Sequence, residues 1–303
     1  MKQLFTTYRA VALMLAAILL LSVGLTVLTG GLSLDKPQEE GHTVLATTYP
    51  IYVAARQILG DDDTVTLIRL QGAASGCLHD YQLSPSDRRA VQEADLILMN
   101  GAGAESFLHG IVDEAKCVDT SAGVDLLCAE HDHDHDEGDH HHEEYNEHLW
   151  LSPVRYAKQV AAVRDALCAL NPDKAAEYKA NATAYLAEIA AIADDLPDLS
   201  GRPCVLFHDS MAYLAADLGL DVKLILSVEG ESGLAAADLK QVEALAAEYP
   251  DLLLLYDTQY ALRYEGVAGT PVSVHTAVQE DWLTAMQENV KNLKKIANRG
   301  ETP

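Results

Sequence analysis

The sequence predicts an α/β fold: two parallel-sheet lobes joined by one long rigid helix. Two observations carry this. Short apolar runs alternate with helical stretches in both halves of the chain, the pattern of a parallel sheet with helices on both faces. Between the halves, residues 173–195 hold no Gly or Pro and are rich in Ala, the composition of a strong helix. A length of 303 residues suits two domains of about 150 each.

The elements follow in order. Lys2 and Arg9 precede the uncharged stretch Ala10 to Leu34. A signal-peptide core usually runs to about 15 residues and a spanning helix needs about 20. Residues 1–34 are therefore read as a signal peptide or an N-terminal membrane anchor, and no A-x-A cleavage signal follows them. Positive charge ahead of the apolar run places the rest of the chain outside the cytoplasm. Residues 35–42 (DKPQEEGH) are a polar linker. An N-terminal lobe is expected over 43–171. Its strands are Val44–Thr47, Thr64–Leu70 and Asp95–Met99. Its helices are Tyr52–Leu59 and Ser84–Glu93, the latter opening on a Ser-Pro cap, with a third running from Pro153 to Leu170. The linker helix is expected over 172–196. A C-terminal lobe over 197–303 holds strands at Cys204–Phe207, Val222–Ser227, Leu252–Tyr256 and Val272–Val274. Helices at Met211–Leu218, Ala236–Glu248 and Glu280–Ala297 alternate with them.

Charge narrows the ligand. Lys plus Arg is 21 and Asp plus Glu is 46, a net charge of −25. A nucleic-acid binder needs a basic face, so that class is excluded and cations are favoured. Residues 130–147 (EHDHDHDEGDHHHEEYNE) contain nine acids, six His and no Lys or Arg. Such a segment buries no core, and a mobile loop is expected there. A solvated acidic loop accounts for the Asp and Glu but not for His131, His133, His135, His140, His141 and His142, which read as an accessory metal-capturing cluster.

Four further histidines stand beside strands or helix starts. His208 follows Cys204–Phe207, His275 follows Val272–Val274, His148 precedes Ser152-Pro153, and His79 lies after Thr64–Leu70. In open α/β sheets ligands gather at the carboxyl ends of strands, so two His from each lobe can face one another across a cleft. Each alone is also readable as an ordinary polar residue. Together with the tract they point to a metal site between the lobes, and imidazole nitrogen suits zinc. Four neutral His leave a dication uncompensated, so a nearby carboxylate is expected.

Several segments carry a family resemblance. TTYPIYVAARQILGD looks like a first strand and helix. LHDYQLSPSDRRAVQEADLILMNGAGAESFL, HLWLSPVRYAKQV and VLFHDSMAYLAADLGL look like stretches bearing successive metal-binding histidines. Over most of residues 43–297 the chain resembles the extracytoplasmic solute-binding proteins of zinc and manganese ABC importers, of the zinc-uptake type. The resemblance implies metal ligands at His79, His148 and His208. The family's fourth ligand is usually a carboxylate after the last strand. VSVHTAV stands there, so His275 is the candidate by position, with Asp257, Glu229 and Glu231 as substitutes. It further implies a monomer that captures Zn(II), or Mn(II) as an alternative, outside the membrane. The ion is then delivered to a membrane permease and its ATPase, without chemistry on the cargo. A stiff linker implies a small closure.

The remaining features admit other readings. Cys117 with Cys128, and Cys168 with Cys204, can form disulfides outside the cell. Cys77 is then left over, as a small buried residue or a soft ligand near His79. NGAGAESF suggests a nucleotide loop but lacks the third Gly and basic residues. Within it Glu105 is readable as a group behind the site or as a helix N-terminal acid. HDS at 208–210 lacks a G-x-S-x-G context. Asn181-Ala-Thr183 fits a glycosylation sequon inside a predicted helix. Two competing functions are a zinc-dependent hydrolase, which needs an open water position and a base, and an extracellular metal buffer or adhesin carried by the tract alone.

Overall fold

The computed structural model of the protein describes residues 41–70, 81–129, 145–226, 228, 234–259, 266–276 and 281–298. The N-terminal apolar stretch, Cys77, His79, the six tract histidines, Glu229 and Glu231 lie outside the described residues. Among the described residues no helix is long and apolar enough to cross a membrane.

The N-terminal lobe comprises β1 (His42–Ala46), α1 (Tyr49–Leu59), β2 (Val65–Arg69), α2 (Pro85–Glu93), β3 (Leu96–Met99) and β4 (Cys117–Asp119). Its sheet runs β2-β1-β3-β4, every pair parallel. Next come α3 (Pro153–Leu170) and α4 (Ala175–Asp194). The C-terminal lobe adds β5 (Pro203–Leu206), α5 (Ala212–Asp217), β6 (Asp221–Ile225), α6 (Ala236–Glu248), β7 (Leu253–Asp257), β8 (Thr270–Val274) and α7 (Trp282–Ala297). Its sheet runs β6-β5-β7-β8, again parallel throughout. Both sheets reverse their winding beside the first strand, so each has a crevice at its carboxyl edge. Strand β4 has no counterpart in the expected elements. Three residues after a polar stretch carry too little periodicity to read.

Local chemistry accounts for the boundaries. Ser84 and Asp87 form a reciprocal capping box at α2, with Pro85 in the first turn. Ser152 accepts from the Arg155 N–H to start α3 at Pro153. On α4 the buried residues are Tyr178, Ala182, Tyr185, Ile189 and Ile192, a stripe at alternating steps of four and three that covers one face. Asn181 lies on this helix and donates to the Ile58 carbonyl at 3.0 Å, so the sequon asparagine is a packing residue.

The linker is stiff because it is part of the core. One apolar cluster runs from Val44 and Leu98 through Tyr156 and Ile189 to Leu206, Leu255 and Trp282. A wide hinge motion would expose this cluster, at about 1.5–3 kcal/mol per large side chain. The four described cysteines, Cys117, Cys128, Cys168 and Cys204, are free thiols, so neither expected disulfide is present. Burial pushes the Cys204 thiol up to about 12.

The NGAGAESF loop follows β3 and carries its own carboxyl group. Glu105 is buried and accepts from the Thr47 hydroxyl at 2.6 Å, the Asn100 N–H at 2.7 Å and the Gly101 N–H at 3.1 Å. The backbone donors that a phosphate would need are thus turned onto an internal carboxylate. Gly101 is required: its φ is +82°, and a Cβ there would lie 1.8 Å from Asp119 Oδ1. Burial raises the Glu105 carboxyl to about 7, against the pull of its three donors. Below about 4.5 both folded and unfolded chains are protonated here. Between 4.5 and 7 only the folded chain holds the proton, so stability falls as pH rises, by roughly 3 kcal/mol in total. Glu105→Gln should remove that dependence. Urea unfolding at pH 5 and pH 7.5 should show a wild-type-minus-variant difference that shrinks or reverses at the higher pH. A difference that does not change with pH would refute the assignment.

Candidate metal centre

Two backbone breaks deliver the central side chains. His148 ends the segment that enters the N-terminal lobe's last helix and directly precedes a short 3-10 turn, Leu149–Leu151. His208 stands directly beyond β5, at the carboxyl edge of the second sheet, and caps the turn Asp209–Met211. The two rings meet nearly at right angles with centroids 5.5 Å apart. Asp209 Oδ1 lies 3.0 Å from His208 Nδ1 and 4.0 Å from His148 Nδ1. One donor atom from each of His148, His208 and Asp209 falls within 4.8 Å of the others. Donors at about 2.0–2.1 Å from a tetrahedral zinc sit about 3.4 Å apart, so a slight contraction would bring the three into range.

The structure thus brings together two of the expected histidines, one from each side of the cleft. His275 and Asp257 stand outside that group. His275 is pinned through its backbone, donating to Asn289 Oδ1 at 2.7 Å and accepting from Asn289 Nδ2 at 3.1 Å. Asp257 accepts from the Gln259 N–H at 2.7 Å and from the Thr276 hydroxyl, so both its oxygens serve the strand-end loops. The His275 segment is nonetheless tied to the cluster. Trp150 donates from Nε1 to the Thr276 carbonyl at 3.0 Å, and its ring lies 5.1 Å from that of His148.

Asp209 was not among the expected ligands. Its signal was available: a carboxylate was needed near four neutral imidazoles, and one follows His208 directly. Its chemistry is coupled to that of His208. The Ser210 N–H and Asp209 Oδ1 both lie 3.0 Å from His208 Nδ1, and a neutral ring serves only one of them. A neutral imidazole nitrogen either accepts or donates. With the proton on Nδ1, His208 donates to Asp209 and its Nε2 lone pair is available for a cation. Ligating histidines are commonly held by a carboxylate in this way.

The last residues of the acidic tract belong to the packed body, where the sequence reading placed a mobile loop. Tyr145 bridges Cys128, the Asn146 N–H donates to the Leu127 carbonyl at 2.9 Å, and Asn146, Glu147 and His148 are buried. Tyr213 clamps this neck, donating to the Asn146 carbonyl at 2.8 Å and accepting from the Leu127 N–H at 3.1 Å. A cavity of about 620 Å³ lies beside it, with Cys128, Asn146, Asp209 and β6 in its wall.

A family model described as ZnuA, zinc-uptake complex component A, periplasmic, matches residues 44–296. The chain is similar to the zinc-binding lipoprotein AdcA of Streptococcus pneumoniae serotype 4, with 27% identity over 293 residues. That match covers 88% of this chain and 58% of the relative, so the chain spans a little over half of the relative's length. A crystal structure of ZnuA superposes with a TM-score of 0.67 at 25% identity, covering 85% of this chain and 98% of the other. The Zn(II)-bound ZnuA-like domain of Streptococcus pneumoniae AdcA shares the fold, with a TM-score of 0.68 at 23% identity over 84% of this chain and 98% of that one.

Proposed function

The chain belongs to the ZnuA family, and from that premise we propose that it captures zinc outside the cytoplasmic membrane as the solute-binding subunit of an ABC importer. The ion is handed to a permease and its ATPase, and no reaction is performed on it. The observation that carries the reading is the meeting of His148, His208 and Asp209 across the two lobes. Two imidazoles, one of them held by a carboxylate, suit a borderline dication, and the net charge of −25 attracts it. His79 and His275 are assigned as the further ligands. His79 rests on the family resemblance, and His275 on its position after β8 and the Trp150 tie. The carboxylate leaves manganese as an alternative cargo, separable by competition between the two ions.

The histidine tract is assigned an accessory role, weak and multiple in stoichiometry. The test is competitive zinc titration of the chain with residues 131–143 removed. That deletion spares Tyr145 and Asn146, which the neck requires. One tight site should survive, with a change in fluorescence from Trp150 beside His148. Disappearance of all tight binding would make the tract the site and overturn capture in the cleft.

A further inference from the structure

Asn146 is 2% exposed and sits between the two donor arms. Its Oδ1 accepts from the His148 backbone N–H at 2.9 Å and lies 3.1 Å from His148 Nδ1. Its Nδ2 donates to the Asp209 carbonyl at 2.8 Å, 63 residues away in sequence and on the other lobe. These partners fix the amide orientation. A flipped amide would set donor against the His148 N–H and acceptor against the Asp209 carbonyl. The oxygen therefore faces Nδ1, and a neutral ring that bonds to it must carry its proton there. Asp209 Oδ1 is 4.0 Å from that nitrogen, beyond hydrogen-bond range.

We infer that Asn146 is a positioning residue that presets His148 as the Nδ1–H tautomer and tethers the two lobes' donors to each other before the metal arrives. This rests on the zinc-capture reading for its purpose, though not for its geometry. The consequence is chemical. Neutral imidazole in water prefers the proton on Nε2, the nitrogen that here must bind the metal. The Asn146 oxygen reverses that preference, so the Nε2 lone pair is left for the metal and no proton has to move on binding. The Nδ2 bond holds the backbone that carries Asp209 in the same frame. Partners of this kind change metal affinity by about 10–100-fold when removed.

The test is imidazole ¹⁵N spectroscopy on the metal-free full chain at mildly alkaline pH, alongside zinc titration against a chelating competitor. His148 is assigned by the signal lost in His148→Ala. The wild type should show the Nδ1–H pattern. Asn146→Ala should shift His148 to the Nε2–H pattern and weaken zinc binding by about 10–100-fold. Asn146→Asp keeps the acceptor oxygen and loses the donor. It should retain the tautomer and lose less affinity than the alanine variant. An Nε2–H pattern in the wild type would overturn the inference. So would equal affinity losses in both variants with the tautomer unmoved, which is what a merely structural role would produce. A tautomer that responds as described in a chain with no tight zinc site would remove the capture reading and leave the preset standing.

Discussion

Replacing His148 by alanine is expected to raise the dissociation constant for zinc by roughly two orders of magnitude. A zinc site of four ligands is worth about 10–16 kcal/mol, or about 3 kcal/mol for each, and 1.4 kcal/mol is about tenfold. His208→Ala should act equally, since the two rings form the arms of one cluster. The same loss is the expectation for His79→Ala and His275→Ala under the proposed ligand set. Asp209→Asn should cost less, about tenfold, because Asp209 orients His208. Thermal melting gives a second readout. Ligand that binds only the folded chain adds about 2.7 kcal/mol at 100 times its dissociation constant. Zinc should therefore raise the melting point of the wild type and leave that of His148→Ala nearly unmoved. Retention of tight binding by both His148→Ala and His208→Ala would refute the cleft as the capture site.

Trp282→Ala is expected to cost about 3–5 kcal/mol of stability. Trp282 is fully buried at the start of α7. Its ring stacks on Tyr156 of α3 with centroids 4.4 Å apart, and its Nε1 donates to the Trp150 carbonyl at 2.8 Å. Tyr156 in turn donates to the Pro50 carbonyl of the N-terminal lobe at 2.9 Å. One side chain from the end of the chain thus closes the core against the first helix. At about 2–4 °C per kcal/mol for a body of this size, the melting point should fall by roughly 10 °C. Trp282→Phe keeps the stack and orphans the carbonyl, so about 1–3 kcal/mol should be lost. Urea denaturation of the two variants checks both figures. A loss under 1 kcal/mol in the alanine variant would mean that α7 is not what locks the lobes together.

The elements were legible because their causes are local. Ala236–Glu248 was expected from its sequence and is α6. The Ser84-Pro85 cap and the Ala-rich run that becomes α4 are written in neighbouring residues, as is the apolar alternation of the strands. The histidines were legible as strand-end residues, and the family resemblance named three of them as ligands. Asp209 is not legible as a site residue, because its role depends on which nitrogen of His208 it faces. Asn146 is hidden in a tract whose composition reads as solvated chain. Only Tyr213, the Leu127 carbonyl and the Asp209 carbonyl, brought in by packing, convert it into a buried bracket.

The sequence by itself determined the α/β class, the two lobes, the stiff helix between them and the kind of ion attracted, because propensity, periodicity and net charge act over a turn of chain or over the whole of it. The tertiary structure alone decided which donors meet. His148 and His208 are separated by 60 positions, and their 5.5 Å approach follows from one continuous core that sets both lobes on the same helices. The bond from Asn146 to the Asp209 carbonyl, across 63 positions, then ties the two donor arms to each other.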